Sequence, residues 1–177
     1  MAASTQRAQA VEAGLAATLR DGAGVVNLPE VARARRFQHA LGAQGEGLEQ
    51  IATKLATAKC LAVAETTSGL VIGSDQILEF QDRAFDKPVD MAEARKRLAD
   101  MQGQTHSLIN AVVVALNGQV IWRHVDRPKL IMRALTEAEI DAYLAAAGPD
   151  ILSSVGAYQV EKLGARLFDD IKGNYFA

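Results

Sequence analysis

Asn117-Gly118, set between two apolar runs, constrains the fold of this chain more than any other feature. Both residues accept the left-handed backbone of a two-residue type I′ turn. The pair therefore predicts a hairpin of strands spanning roughly His106 to Leu116 and Gln119 to Met132. A hairpin excludes a purely parallel sheet. It also accounts for the longest nearly uncharged stretch, Thr105 to Trp122, as paired strands. That stretch contains His106, Asn110, Asn117 and Gln119, whereas a membrane helix needs about 20 predominantly apolar residues.

Helical and strand patterns alternate on both sides of the hairpin. Arg7 to Arg20 is rich in Ala, Leu, Gln and Glu and is stopped by Gly22 and Gly24. From Gly47 to about Ala64, Leu48, Ile51, Leu55, Ala58 and Leu61 or Ala62 recur at spacings of three and four, which predicts an amphipathic helix. Gly69-Leu70-Val71-Ile72-Gly73-Ser74-Asp75-Gln76 reads as a buried strand with a polar end, continued by Ile77 to Phe80 and a turn at Gln81-Asp82-Arg83. Asp90, with Glu93 three positions on, caps a helix to about Met101, and Thr136 caps another through Leu144. The segment Ile151 to Ala177 holds short apolar pieces punctuated by glycine. Together these elements predict an α/β chain with a mixed, twisted sheet and flanking helices.

Composition narrows the function classes. A chain of 177 residues, 49% hydrophobic and 23% charged, suits one globular domain or a compact two-lobed one, with a substantial core. Nineteen basic and twenty-one acidic residues leave a net charge of −2, which argues against coating a nucleic-acid polymer. The single Cys60 allows neither an intramolecular disulfide nor a cysteine-based zinc site. Met1 to Arg7 shows no secretory pattern, so a cytoplasmic location and no membrane partner are expected.

Several segments carry candidate chemistry. In Gly73-Ser74-Asp75-Gln76, small residues permit close backbone approach, and Asp75 could hold a divalent metal or orient a water; an Asp bonding to its own turn is the equal alternative. In Phe85-Asp86-Lys87-Pro88, Pro88 restricts Lys87 to extended geometry, which suits a fixed ammonium facing phosphate as well as a solvated surface turn. Lys59, beside Cys60, could reach the same cleft or snorkel from an apolar face. Ser153 to Glu161 combines a small-residue turn with Tyr158, Gln159 and Glu161, a set able to hold a base edge, complete a metal site, or simply cap a turn with Tyr158 in the core. His39, His106 and His124 lack ligand spacing and are assigned to surface or strand positions. No serine-histidine-aspartate order, phosphate-binding P-loop or complete dinucleotide glycine pattern is present.

Read in order, Leu55-Ala56-Thr57-Ala58-Lys59, Val71 to Gln76, Phe85 to Pro88, Leu98 to His106, Ser154 to Tyr158 and Ile171-Lys172-Gly173-Asn174-Tyr175 resemble the Maf family over about Glu46 to Phe176. The resemblance implies two lobes around a nucleotide cleft, similar to the inosine-triphosphate pyrophosphatase group. It also implies hydrolysis of a nucleoside triphosphate to monophosphate and pyrophosphate with a divalent metal, Mg or Mn. It makes Asp75 the catalytic carboxylate and a metal ligand. Lys59 and Lys87 become phosphate-facing lysines, and Glu161 a metal or base-side group beside Tyr158 and Gln159. Gly-Ser-Asp-Gln, with Gln76, resembles the branch associated with 7-methylguanosine triphosphate and some pyrimidine triphosphates. The thymidine and uridine branch usually carries Gly-Ala-Asp-Thr. A homodimer is implied by the family alone.

The chain departs from the family pattern at both ends. Where the family has a strand leading into Ser-x-Ser-x-Arg-Arg, only Ala3-Ser4-Thr5-Gln6-Arg7-Ala8 stands, leaving Arg7 as the substrate-binding arginine, with Thr5 and Ser4 as companions. Glu30 matches the acidic residue that follows. The sequence stops at Phe176-Ala177, before the family's Gly-Leu-Pro segment and final helix. The expectation is one Maf-like domain over 1–177 with a degenerate N-terminal loop and no C-terminal helix. The alternative function is a catalytically impaired nucleotide-binding or regulatory protein linked to cell division.

Overall fold

The computed structural model describes residues 47–173. Among them the chain runs α1 (Leu48–Ala64), β1 (Leu70–Phe80), β2 (Arg83–Phe85), α2 (Met91–Met101), β3 (Thr105–Leu116), β4 (Gln119–Asp126), β5 (Lys129–Met132), α3 (Glu137–Ala147) and β6 (Phe168–Lys172). Two short 3-10 turns, Pro149–Ser153 and Leu163–Leu167, precede the last strand. The α/β class holds. The strands form one six-stranded sheet in the order β2-β1-β3-β5-β6, with β4 paired to β3. The registered pairs β1 with β2, β3 with β5 and β5 with β6 are antiparallel. Among the described residues, no helix is long and apolar enough to cross a membrane. The helix expected over Arg7 to Arg20 lies outside the described residues.

By its contacts the chain divides into two compact units, 47–75 with 111–125 and 76–110 with 126–173; β1 and β3 run through both. In the first unit, α1 packs on β1 with an inward stripe that keeps Ile51 and Leu55 of the expected one and departs from it elsewhere. Ile51, Ala52, Leu55, Ala56, Cys60 and Ala64 are buried, while Ala58 and Ala62 are exposed. Alanines lie on every side of this helix, so hydrophobicity alone does not choose the face. Contact does, because a Cβ added to Gly73 would stand 2.5 Å from the Cys60 Cβ and 2.6 Å from the Ala56 carbonyl oxygen. Only small side chains fit where helix and strand backbones come so close. The Cys60 thiol donates to the Val71 carbonyl at 3.3 Å, and burial pushes its pKa up.

The hairpin forms as the Asn-Gly pair requires. Asn117 and Gly118 have φ values of 49° and 79°, both left-handed. Asn117 also binds Gly69 twice, accepting its N–H on Oδ1 at 3.1 Å and donating its own N–H to the Gly69 carbonyl at 3.2 Å. The second strand, expected as continuous from Gln119 to Met132, is instead broken at Arg127-Pro128. Pro128 has no N–H for the ladder, and its carbonyl accepts from Leu108 at 3.1 Å. Beyond it β5 pairs with the start of β3, Thr105 facing Ile131 and Ser107 facing Lys129.

In the second unit, Leu98 and Met101 of α2, Ile140 and Leu144 of α3, and Leu78, Leu108, Leu130 and Met132 of the sheet share one buried cluster with Tyr158. Both expected caps form. Thr136 and Glu139 make a complete capping box, and the Thr136 backbone N–H, with Arg133, holds the Glu139 carboxyl down at about 2. Asp90 accepts the Glu93 N–H at 2.7 Å, but the Glu93 carboxylate reaches back to the Val89 N–H at 2.8 Å, one residue before the cap.

Gly73→Ala is expected to destabilise the fold by roughly 2 kcal/mol, through overpacking against α1. A lower urea midpoint would show it. Gly47→Ala, where an added Cβ meets nothing within 4 Å and only the helix N-cap preference is disturbed, should lower the midpoint less.

Candidate active site

Close packing at Gly73 determines what lies next to it. Side chains alternate along a strand, so Asp75 shares the Gly73 side of β1, while Lys59 directly precedes Cys60 on α1. The Lys59 ammonium consequently donates to Asp75 Oδ1 at 2.5 Å and to the Ser74 carbonyl at 3.3 Å. The Asp75 side chain is 11% exposed and that of Lys59 40%, so the carboxylate is largely enclosed and the ammonium bridges it to solvent. Asp75 stands inside an 11-residue strand, which removes the reading of an Asp closing its own turn. Lys59 does not simply snorkel.

The second unit holds a cavity of about 240 Å³, lined among others by Gln76, Asn110, Ser154, Tyr158, Gln159 and Glu161. This is below the ~300–1,000 Å³ of pockets for drug-sized ligands, so it suits one moiety of a nucleotide. Gln76 Nε2 donates to Asn110 Oδ1 at 2.7 Å, which turns the Gln76 carbonyl oxygen away from that bond as an available acceptor. The wall opposite is a tight turn. Ala157 has φ 58°, and a Cβ on Gly156 would stand 2.2 Å from the Tyr158 ring, so Gly156 is what allows Tyr158 to fold back into the core. Left-handed Ala157 costs on the order of 1–2 kcal/mol that the surrounding packing must offset.

Comparison with known proteins bears on this arrangement. The model of the Maf-like protein family matches residues 4–177. The chain belongs to the Maf family. A nucleoside triphosphate pyrophosphatase from Hyphomonas neptunium is 44% identical over 141 residues, covering 80% of this chain and 71% of the relative. A 7-methyl-GTP pyrophosphatase from Rhizobium meliloti is 43% identical over 143 residues, 80% and 72% of the two chains. A nucleoside triphosphate pyrophosphatase from Caulobacter vibrioides is 45% identical over 126 residues, 71% of this chain and 63% of the relative.

Of the site residues expected from the Maf pattern, Lys59 meets Asp75 in the first unit, and Gln76 and Glu161 both line the cavity of the second. Lys87 sits half-buried in the second unit, on the loop between β2 and α2, and is not among the residues lining that cavity. Arg7, Ser4, Thr5, Glu30 and His39 lie outside the described residues. Among the described residues no three His, Cys, Asp or Glu side chains cluster as a metal cage. Mg²⁺ is usually held by one or two carboxylates together with substrate phosphates and waters, and the enclosed Asp75 carboxylate fits that lean donor set.

Sequence patterning passed over three residues that the structure places at or behind the site. Asn110 stands as an amide within the almost wholly buried β3, and that polar residue in an apolar run was the available signal. Arg97 is 6% exposed, although it occupies a charged, surface-like stretch of α2. His106, expected at the surface or in a strand, lies in β3 at 2% exposure, its Nε2 2.6 Å from the Tyr158 hydroxyl and its ring tilted against Phe168 at 5.8 Å. Burial pushes the Tyr158 phenol up and holds His106 down at about 4. Native His106 therefore stays neutral while the unfolded chain takes up a proton near pH 6.5. Its contribution is intact above that pH and is lost as pH falls towards 4. Between pH 7 and pH 4 the unfolding free energy of the wild type should drop by about 3 kcal/mol more than that of His106→Gln, as read from urea midpoints.

Proposed function

We propose that this chain is a nucleoside triphosphate pyrophosphatase, a hydrolase that splits a nucleoside triphosphate and water into the monophosphate and pyrophosphate. The observation that carries this is the Lys59–Asp75 pair, an enclosed carboxylate held at 2.5 Å by an ammonium, in a chain about 44% identical to relatives with that name. Breaking the α–β anhydride needs a water directed at phosphorus and relief of the charge crowded on the triphosphate. Asp75 orients the water and takes its proton. Lys59 fixes the orientation of that carboxylate by a charge-assisted bond to one of its oxygens. Lys87 faces the phosphates from its loop, and Arg7 adds a guanidinium.

A divalent cation, Mg²⁺ or Mn²⁺, when bound, lowers the charge on the phosphates, and Asp75 is the described residue that would hold it. Glu161 and Gln76 serve the nucleoside side at the cavity they line. The preferred substrate in this reading is a modified or non-canonical nucleotide such as 7-methyl-GTP, supported by Gly-Ser-Asp-Gln and by the 7-methyl-GTP pyrophosphatase from Rhizobium meliloti at 43% identity. A single Maf-like domain, similarity to the two-lobed inosine-triphosphate pyrophosphatase group, a cytoplasmic location, free nucleotides as partners and a homodimer all belong to the same proposal.

Pyrophosphate release across the common triphosphates, 7-methyl-GTP and inosine triphosphate, with Mg²⁺ or Mn²⁺, tests the function. Asp75→Asn should lower release by at least about 100-fold. Its melting temperature should stay close to that of the wild type, since the exposed end of Lys59 can turn to water. Unchanged turnover in this variant would remove Asp75 from the chemistry.

A further inference from the structure

Arg97 is the most heavily engaged buried cation among the described residues of the second unit. Its guanidinium donates to the Asp86 carbonyl, to the Val155 carbonyl at 2.6 Å and to Glu93 Oε1 at 2.8 Å, and it lies over the Phe85 ring at 5.2 Å. With a side chain only 5% exposed, it is not an ordinary surface partner for Glu93. The other oxygen of Glu93, Oε2, accepts the Val89 N–H at 2.8 Å. One helical i, i+4 ion pair thus holds the loop 86–89 at both ends, by the carbonyl at 86 and the amide at 89. Between those anchors stand Lys87 and the buried, φ-locked Pro88. The planar fork of arginine can reach Asp86, Val155 and Glu93 together, which a lysine ammonium cannot do with the same fixed geometry.

We propose that Arg97 is a positioning residue that, together with Glu93, fixes the Lys87 loop for a polyphosphate and ties it to the turn bearing Ser154 and Tyr158. This rests on the phosphate-binding role proposed for Lys87. A lysine on a four-residue loop anchored at both ends presents its charge with little ordering left to lose on binding, and small misplacements of such groups are expensive.

The test is a double-mutant cycle read by calorimetric binding of inorganic tripolyphosphate, which requires no turnover. Arg97→Lys and Glu93→Gln should each weaken binding on the order of tenfold, and Lys87→Ala should weaken it at least as much. Adding Arg97→Lys to Lys87→Ala should change affinity by no more than about twofold, because the positioning then acts on a group that is gone. Glu93→Gln keeps the cycle available if Arg97→Lys folds poorly. Losses that multiply in the double variant, binding unaffected by either substitution on α2, or no tripolyphosphate binding by the wild type would each overturn the proposal. Coupled binding in a chain that releases no pyrophosphate from any triphosphate would support Arg97 in this role and overturn the hydrolytic reading instead.

Discussion

Close approach of α1 to β1 at Gly73 is the constraint on which the first unit depends. Two backbones brought together until a single methyl would collide with Cys60 and Ala56 leave no slack in the rotation or sliding of the helix. The residue before Cys60 and the residue two after Gly73 are then set against each other by the geometry of helix and strand alone. Lys59 and Asp75 occupy those positions. The charge pair is therefore a product of packing between small residues, and its precision comes from alanine, cysteine and glycine more than from the charges themselves.

The second unit is organised differently, around polar groups placed inside an apolar cluster. His106 and Asn110 on β3, Tyr158 on the turn and Arg97 on α2 each carry hydrogen-bonding groups that would be costly to bury without partners. Their bonds run to backbone carbonyls and to one another: Arg97 to residues 86 and 155, His106 to Tyr158, Gln76 to Asn110. Leu, Met and Ile fill the space, but directional bonds of this kind decide which of many packings is adopted. The cavity and the Lys87 loop are both bordered by these groups.

Much of this was legible in the chain because it is local. Asn117-Gly118 dictated its turn, Thr136 and Glu139 their capping box, and the apolar run from Val71 its strand, each by chemistry confined to a few neighbours. Asp75, Gln76, Lys59, Lys87 and Glu161 could be singled out as candidates from ordered motifs. What could not be read depends on distant partners. The inward face of α1 is chosen by Gly73, ten or more residues away, and an alanine-rich helix gives hydrophobic spacing nothing to choose between. The break at Pro128 reflects a register set by β3. Arg97 looks solvated in sequence, and His106 could be placed in a strand but not inside the core, because their burial follows from carbonyls and rings contributed by residues about 10 to 60 positions away.

The turn joining β3 to β4 carries a chemical liability along with its structural advantage. Asparagine followed by glycine is the pairing in which the next backbone nitrogen meets least steric hindrance on its way to the side-chain carbonyl, so the ring closure that precedes deamidation is easiest there. Asn117 is exposed, and asparagine is among the thermolabile residues. Its side-chain oxygen and its backbone N–H both bind Gly69, and they hold the loop before β1 to the hairpin. Conversion to isoaspartate would insert an extra atom into the main chain between those two bonds. The residue pair that makes this hairpin easy to form is thus also the point at which an old molecule would first lose its register.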